Sequence, residues 1–438
     1  MNGLIIAAPR SGSGKTVVTL GLLRALRQRG LRVAAAKVGP DYIDPGYLAA
    51  ACGGACANLD AWAMRRATIA AELGARAAEA ELLLCEGAMG LHDGAGAESA
   101  GSTAALAALT GWPVILVLDL AGQAQSAAAL VEGFARHRSD VTIAGVILNR
   151  VGGERHAALA AAALARAVPA ITQLGALPRD AALELPSRHL GLIPAGEHAR
   201  LDAFLDEAAA RIGASVDLDA VVALARVSSL RDDAAGPVLP PLGQCIAVAR
   251  DAAFAFAYPS VLRGWRDAGA AVAFFAPLAD EAPPAACDAV YLPGGYPELH
   301  AARLAANRRF IAGLRAAAQS GATLYGECGG YMVLGRQLID CDGASHEMAG
   351  LLPLATSFAA RKLHLGYRAV SLAQDTPLGA CGARFRGHEF HYASITDEGE
   401  GAPLFRVADA DGAALAEAGR VNGKVMGSFV HLIDRAEP

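Results

Sequence analysis

Residues 3–16 read GLIIAAPRSGSGKT, and this stretch decides the fold of the first half of the chain. The apolar run predicts a buried strand over residues 3–8, and the following turn opens a helix at Gly14-Lys15-Thr16. Backbone N–H groups at such a helix start point towards phosphate oxygens. Pro9 stands where the complete G-x-x-x-x-G-K-[ST] motif has its first glycine. We therefore predict a variant phosphate loop that binds ATP.

The residues of this loop have separate expected roles. Gly12, Ser13 and Gly14 belong to the turn that cradles phosphate, Lys15 adds positive charge, and Thr16 is a ligand for Mg²⁺. The competing interpretation is a solvated glycine turn before a helix. The placement of Lys15 and Thr16 favours the phosphate loop.

Apolar runs alternate with alanine-rich stretches through the first half, which is typical of a parallel sheet covered by helices. We predict further strands over residues 32–37, 81–86, 113–119 and 142–149, and helices over 17–28 and 121–136. In open parallel sheets, ligands bind at the carboxyl ends of the strands. The polar residues that follow these runs are therefore candidate ligands of the nucleotide.

Four acidic residues follow the predicted strands: Asp41, Asp44, Glu86 and Asp93. Carboxylates at the phosphate end of the sheet suit a hard cation such as Mg²⁺. Taken singly, Asp44 and Asp93 are equally explained as helix caps or turn formers, whereas the ligand role is favoured for Glu86 and Asp41. Lys37 at a strand end is better explained as an anion binder than as a core residue. Asn149 has the amide donors and acceptor that pair with adenine, although alone it is weak support.

A second motif, residues 326–330 (GECGG), follows a predicted strand and precedes a predicted helix. Glycines on both sides permit the sharp turn that exposes a nucleophile, here Cys328. We expect the helix start to stabilise its thiolate. A thiol nucleophile needs a base, for which His431 is the first candidate and His364, His388 and His391 compete. A glycine turn at Gly294 and Gly295 offers N–H groups for an oxyanion hole. The alternative for Cys328 is a buried structural thiol.

Residues 231–243 (RDDAAGPVLPPLG) interrupt the alternation with prolines, glycines and charges. Beyond them the pattern restarts, with predicted strands over 245–249, 271–275, 289–292 and 323–325. We therefore predict two α/β domains, 1–230 and 244–438, joined by a linker over 231–243.

Composition excludes several classes of function. The chain has 438 residues, is 54% hydrophobic and 18% charged, and has a net charge of −5. This balance gives no general attraction to nucleic acid or to an anionic membrane surface. No uninterrupted apolar stretch is long enough to span a bilayer, and no basic segment precedes the first apolar run. Eight scattered cysteines fit reduced thiols, so we expect a cytoplasmic protein.

Both halves together resemble the cobyrinic acid and hydrogenobyrinic acid a,c-diamide synthases of cobalamin biosynthesis. The resemblance covers nearly the whole chain and rests on several segments: residues 37–44 (KVGPDYID), 58–60 (NLD), 86–91 (EGAMGL), 177–180 (LPRD), 185–192 (LPSRHLGL), 292–299 (LPGGYPEL), 327–330 (ECGG) and 388–392 (HEFHY). It implies a dethiobiotin-synthetase-like ATPase domain with a parallel sheet, followed by a class I glutamine amidotransferase domain.

The resemblance also implies roles for individual residues. Thr16, Asp41 and Glu86 would surround Mg²⁺, Asp44 and Asp93 would help to activate the substrate carboxylate, and Lys37 and Tyr42 would bind the substrate. Cys328 would attack the glutamine amide and His431 would carry the proton, with Gly294, Gly295 and Gly329 around the glutamine. The implied partners are ATP, glutamine and cobyrinic or hydrogenobyrinic acid. A homodimer is one of the oligomeric states that stay open.

One departure concerns the third member of the catalytic set. Many class I amidotransferases have a glutamate two residues after the histidine, where this chain has Ile433. We therefore expect a Cys-His dyad, with backbone or water orienting the imidazole.

The implied substrates carry many carboxylates, which need positively charged side chains to bind them. The candidates in the sequence are Arg361, Lys362, His364 and Arg368.

Three other functions compete. Within the superfamily, cobyric acid synthase and nickel-sirohydrochlorin a,c-diamide synthase amidate other tetrapyrroles. A different class is the partition-type ATPase switch, which has a lysine where Arg10 stands. Such a switch has no use for the Cys328 and His431 pair, so a ligase is favoured.

Overall fold

The computed structural model describes residues 1–188, 191–231 and 236–437. The chain folds as two compact units. The first unit consists of Met1–Trp62 and Arg66–Ala234, and the second consists of Ala63–Arg65 and Ala235–Pro438. Residues 232–235 of the predicted linker and residues 189–190 of the segment 185–192 lie outside the described residues.

The first unit is built around a parallel sheet whose strands are largely buried, except for the strand at one edge, Thr172–Pro178. Its strands are β1 (Asn2–Ala7), β2 (Val33–Val38), β3 (Cys56–Leu59), β4 (Leu82–Glu86), β5 (Val114–Asp119), β6 (Ile143–Val151) and β7 (Thr172–Pro178). They pair in the order β3-β2-β4-β1-β5-β6-β7. Strands covered on both faces are continuous apolar runs, as the sequence has them here. Two short strands, β8 (Ser187–Arg188) and β9 (Gly191–Leu192), form a separate hairpin, and β10 (Arg226–Val227) pairs antiparallel with β1.

Helices connect these strands and cover the sheet. They are α1 (Lys15–Gln28), α2 (Asp44–Cys52), α3 (Arg66–Glu79), α4 (Thr103–Thr110), α5 (Ser126–His137), α6 (Glu154–Ala167), α7 (Leu201–Ser215) and α8 (Leu218–Leu224). The predicted helix over 121–136 begins only at Ser126, because Asp119 and its neighbours form a hydrogen-bonded turn first: Asp119 accepts from the Ala121 N–H, and Gln123 donates to the Asp119 carbonyl.

The second unit combines a parallel half with an antiparallel half in one sheet. The strands are β11 (Cys245–Ala249), β12 (Ala271–Phe275), β13 (Ala289–Leu292), β14 (Thr323–Glu327), β15 (Gln337–Ile339), β16 (Ser345–Glu347), β17 (Leu354–Ser357), β18 (His364–Leu372), β19 (Arg384–His391), β20 (Ser394–Glu398), β21 (Ala402–Ala408), β22 (Ala418–Asn422), β23 (Val425–Ser428) and β24 (His431–Arg435). The large sheet has the order β12-β11-β13-β14-β23-β22-β21-β18-β19-β24, and β16-β15-β17-β20 form a small one.

The helices of this unit are α9 (Pro259–Asp267), α10 (Ala301–Ala306), α11 (Arg308–Gln319) and α12 (Gly329–Leu334). The sulfur atoms of Cys245, which opens β11, and Cys287, just ahead of β13, are in contact. The two residues meet only through the pairing of β11 with β13, and a single sequence does not show such a contact.

The α/β class predicted for both halves is confirmed. The predicted strands recur with nearly the same bounds, because each is an apolar run buried in a sheet. In the described part of the chain, no helix combines the length and apolar character needed to cross a membrane.

Candidate functional site

The phosphate loop lies between β1 and α1. Gly12 and Gly14 have φ angles of 77° and 90°, a conformation that favours glycine. The Ser13 hydroxyl donates to the Arg10 carbonyl over 2.9 Å, which closes the turn. A Cβ on Gly14 would overlap the Asn149 side-chain amide, so the loop and the end of β6 are in close approach.

Lys15 is buried, and its ammonium group donates to the Met89 carbonyl over 2.6 Å. Burial lowers the pKa of Lys15 to about 8, although the nearby charge of Glu86 opposes this shift. Phosphate oxygens would restore the charge of this amine by favouring its protonated form.

A buried charge cluster lies where β2 and β4 end. The Thr16 hydroxyl donates to Oε1 of Glu86 over 2.6 Å, and Nζ of Lys37 lies 3.0 Å from the same oxygen. Nζ of Lys37 also contacts Oδ2 of Asp44 at 2.6 Å. Burial raises the pKa of Glu86, and the Lys37 charge opposes that shift. Lys37, predicted to bind an anion, is thus paired with two carboxylates of its own unit.

The donor set here fits a hard cation. Oε2 of Glu86 is buried and has no hydrogen-bond partner among the described residues, while the Thr16 hydroxyl lies beside the same carboxylate. Burial, together with the Asp44 charge, raises the pKa of Asp41 to about 6, which a cation would reverse. The described residues hold no group of three or more His, Cys, Asp or Glu side chains placed for a metal. Mg²⁺ commonly takes few ligands from the protein and the others from nucleotide phosphates and water. The small number of acidic side chains is therefore compatible with a magnesium site that is completed by the nucleotide.

The remaining predicted acids have local structural partners. Oδ1 of Asp41 accepts from the N–H groups of Ile43 and Asp44, at 2.8 and 3.1 Å, where α2 begins. Oδ2 of Asp93 accepts from the Gly90 N–H over 2.9 Å. Both therefore act as turn formers, the interpretation left open from sequence. Tyr42 is half-buried beside Asp41.

Asn149 lines a cavity of about 280 Å³ beside the phosphate loop. Its side-chain amide donates to the Ser13 carbonyl over 2.9 Å. The cavity wall also includes Gly14, Leu177–Arg179 and Arg211. Asn149, predicted to pair with adenine, thus contacts the phosphate loop and lines this cavity.

Sequence reasoning missed an ion-pair group at the same edge of the sheet. Oδ2 of Asp119, at the end of β5, accepts from Arg10 at 3.1 Å and from Arg150 at 2.9 Å. Arg150 also donates to the Gly12 carbonyl over 2.8 Å. The sequence feature that could have identified Asp119 is its position at the end of a predicted strand.

In the second unit, Cys328 lies at the sharp turn between β14 and α12. Its φ of 48° and ψ of −102° are a strained conformation for a non-glycine residue. The Cys328 N–H donates to the Ser428 carbonyl over 2.8 Å, which ties the turn to the end of β23. A strained cysteine at a strand-to-helix turn is the arrangement predicted for a nucleophile.

Burial raises the pKa of the Cys328 thiol, and the charges of Glu298, Glu327 and Glu389 act in the same direction. The Gly329 N–H, at the start of α12, opposes the shift, which is the direction expected of a helix start, but burial outweighs it. The raised pKa favours the protonated thiol at neutral pH, so the thiol must lose its proton during attack.

His431 opens β24 and is fully buried. Burial lowers its pKa well below the ordinary value, and His388 and His391 add to this effect. A neutral imidazole is the form that accepts a proton. A Cβ on Gly294 would overlap the His431 ring, which shows how closely the glycine turn approaches the imidazole.

The glycine turn also approaches the cysteine. A Cβ on Gly329 would lie 3.1 Å from the Gly295 nitrogen, and the Gly330 N–H donates to the Pro293 carbonyl over 3.1 Å. The turn at 294–295 therefore contacts both the start of α12 and His431. The structure brings together Cys328, His431 and the glycines predicted around glutamine.

The competing histidines form a packed group around this site. The His388 ring stacks on His431 with centroids 5.0 Å apart, and His364 stacks on His391 at 4.7 Å. Among the predicted substrate cations, Arg368 pairs with Glu389, whereas Arg361 and Lys362 are exposed.

Comparison with known proteins accounts for both units. Residues 4–193 match the CobQ/CobB/MinD/ParA nucleotide binding domain, and residues 245–438 match the CobB/CobQ-like glutamine amidotransferase domain. A protein of Rhizobium meliloti named hydrogenobyrinate a,c-diamide synthase is 55% identical over 100% of both chains. The protein of that name from Brucella anthropi is 56% identical over 99% of each. The chain belongs to the hydrogenobyrinate a,c-diamide synthase family.

Membership of the a,c-diamide synthase family confirms the resemblance drawn from the sequence. It supports an enzyme with a nucleotide-binding domain and a glutamine amidotransferase domain. The ATPase-switch alternative does not account for the amidotransferase half.

Proposed function

We propose that this protein amidates the a and c carboxylates of hydrogenobyrinic acid, or of cobyrinic acid, with ATP and glutamine. The observation that carries the proposal is the buried Cys328–His431 site in a chain that also has the phosphate loop of Lys15 and Thr16. Relatives with this name, 53–56% identical over at least 98% of the chain, favour the hydrogenobyrinate substrate over those of cobyric acid synthase and the nickel-tetrapyrrole enzyme.

ATP is needed because a carboxylate does not acylate ammonia at neutral pH. Transfer of the γ-phosphoryl group to the substrate carboxylate creates a mixed anhydride with a good leaving group. Lys15 holds the phosphates, and Thr16 and Glu86, with Asp41, would hold Mg²⁺. When bound, that ion offsets the negative charge of the phosphates. Asp44 and Asp93 are proposed to orient the carboxylate, with Lys37 and Tyr42 contributing to substrate binding.

Ammonia is proposed to come from glutamine at Cys328. The sulfur attacks the side-chain amide while His431 takes the thiol proton and passes it to the leaving nitrogen. A thioester remains, and water releases glutamate from it. Backbone N–H groups around Gly294, Gly295 and Gly329 would stabilise the oxyanion that forms during attack.

We further propose that the released ammonia reaches the anhydride before it is protonated in bulk water, because ammonium is not a nucleophile. A cytoplasmic location, bound Mg²⁺ and a homodimer belong to the proposal as well.

The test is product analysis. The purified protein is incubated with MgATP, glutamine and, separately, hydrogenobyrinic and cobyrinic acid, and products are identified by mass spectrometry. We expect two carboxyl-to-amide conversions on hydrogenobyrinic acid, with release of glutamate and ADP. Glutaminase activity without amidation of either acid would contradict the proposal. A sample without ATP is the control.

A further inference from the structure

The carboxylate of Glu327 faces the imidazole of His431. Oε2 of Glu327 lies 3.8 Å from Nδ1 of His431, and both side chains are almost completely buried. This distance is longer than a hydrogen bond, so the contact is electrostatic. Because the carboxylate precedes Cys328 in the chain, it lies on the nucleophile side of the site and not two residues after the histidine.

Three donors fix the orientation of this carboxylate. The Tyr291 hydroxyl donates to Oε2 over 2.7 Å, and the Tyr325 hydroxyl donates to Oε1 over 2.9 Å. The Leu432 N–H, from the residue after His431, donates to Oε1 over 3.1 Å. The register of β13 with β14 places Tyr291 opposite Tyr325, so that both hydroxyl groups reach Glu327. The hydrogen bond from Leu432 links the same carboxylate to the backbone beside His431.

We propose that Glu327 is the positioning residue of the glutaminase site, orienting His431 and stabilising the imidazolium that forms during attack. The inference rests on the glutaminase half of the proposed function. It replaces the expected dyad oriented by backbone or water, and it supplies a carboxylate that the chain lacks at Ile433.

The proton moves as follows. With Nδ1 towards Glu327, Nε2 of His431 takes the proton of the Cys328 thiol as sulfur bonds to the amide carbon. The imidazolium then gives this proton to the leaving nitrogen as the carbon–nitrogen bond breaks. The negative carboxylate of Glu327 stabilises the imidazolium between these two proton transfers. Stabilisation is needed at that stage because the buried His431 ring then carries a charge.

The state of Glu327 is sensitive to pH near neutrality. Burial raises its pKa to about 7, while the hydrogen bonds from Tyr291, Leu432 and Tyr325 oppose that shift. Glutaminase kcat/KM is therefore expected to fall as pH decreases through about 7 and Glu327 takes up a proton. Removal of the Tyr291 hydroxyl would raise this pKa further.

The test compares Glu327→Gln, Tyr291→Phe and the matched control Tyr331→Phe by glutaminase pH profile. Tyr331 is also a buried tyrosine of this unit, but its hydroxyl contacts Glu398. We expect Glu327→Gln to lower glutaminase kcat by about 10²-fold and to remove the acidic limb. Tyr291→Phe should move this limb to higher pH, and Tyr331→Phe should leave it in place.

Ammonium-driven amidation by the same variants separates this inference from the proposed function. It should survive in Glu327→Gln, whereas its failure in the wild-type protein would count against the amidation proposal and not against Glu327. A glutaminase kcat within about threefold of wild type in Glu327→Gln would overturn the inference. If Glu327→Gln does not fold, the Tyr291→Phe profile decides: a shifted limb supports the role, and an unshifted limb overturns it.

Discussion

The phosphate-loop site and the thiol site prepare their reactive groups in opposite ways. At the first, opposite charges compensate one another, since Lys37 is paired with Glu86 and Asp44. At the second, burial suppresses charge, raising the pKa of Cys328 and lowering that of His431. The first site is therefore suited to bind a charged ligand, whereas the second holds a neutral pair that separates charge only during reaction.

The largest expected effect comes from the thiol site. Cys328→Ala should lower glutaminase and glutamine-dependent amidation by about 10⁴-fold or more, because the nucleophile is lost. Ammonium-dependent amidation should remain, since the nucleotide site is intact. The exposed free thiol Cys341 gives the control Cys341→Ala, which should retain both activities. Loss of the ammonium-dependent reaction in Cys328→Ala would contradict the assignment of ammonia release and amidation to two separate sites.

The converse change is at the nucleotide site. Lys15→Met should lower amidation from either nitrogen source by about 10³-fold, because a buried cation no longer balances phosphate charge. Glutamine hydrolysis measured without tetrapyrrole should stay near the wild-type rate. Equal loss of both activities would mean that the two sites are not separable. Circular dichroism of the variant would check its folding.

A smaller effect is expected at the glycine turn. Gly294→Ala adds a Cβ that overlaps the His431 ring, and displacement of the imidazole should lower glutaminase kcat by about 10²-fold. The control is Gly133→Ala in the exposed face of α5, where a Cβ has open space. That change should leave activity intact and stabilise the fold by about 0.5–1 kcal/mol in urea unfolding. Normal glutaminase in Gly294→Ala would show that the ring tolerates this displacement.

The smallest expected effect concerns protons at Lys15. Its pKa of about 8 means that a large share of the amine is neutral at that pH. Bound phosphate raises the pKa, so ATP binding near pH 8 should take up a fraction of a proton. Calorimetry in buffers of different ionisation enthalpy would measure this uptake. Lys15→Arg keeps the charge at all pH values and should abolish it. Equal uptake by wild type and Lys15→Arg would assign the proton to another group.

The sequence predicted strands β1, β2, β4, β5 and β6 of the first sheet and β11–β14 of the second, because each is an apolar run between polar turns. It also predicted Lys15, Thr16, Cys328 and His431, whose chemistry is tied to local motifs. Strands β3, β7 and β15–β24 were not predicted; β18 and β19, for example, are long but contain histidine, arginine and glycine between their apolar residues.

Contacts between distant residues could not be predicted. The pairing of Lys37 with Glu86 depends on the register of β2 with β4, and the tyrosines around Glu327 depend on the register of β13 with β14. A single sequence does not show strand register. For the same reason, the sequence does not show how far burial outweighs the effect of the helix start on the pKa of Cys328.

We propose above that nitrogen released at Cys328 is captured at the nucleotide site of the same protein. The most direct measurement supplies glutamine labelled with heavy nitrogen in its amide, together with MgATP, hydrogenobyrinic acid and an excess of unlabelled ammonium. Mass spectrometry then reads the label in the product amides. We expect both amides to carry mainly the heavy isotope. Amides that carry mainly unlabelled nitrogen would contradict it.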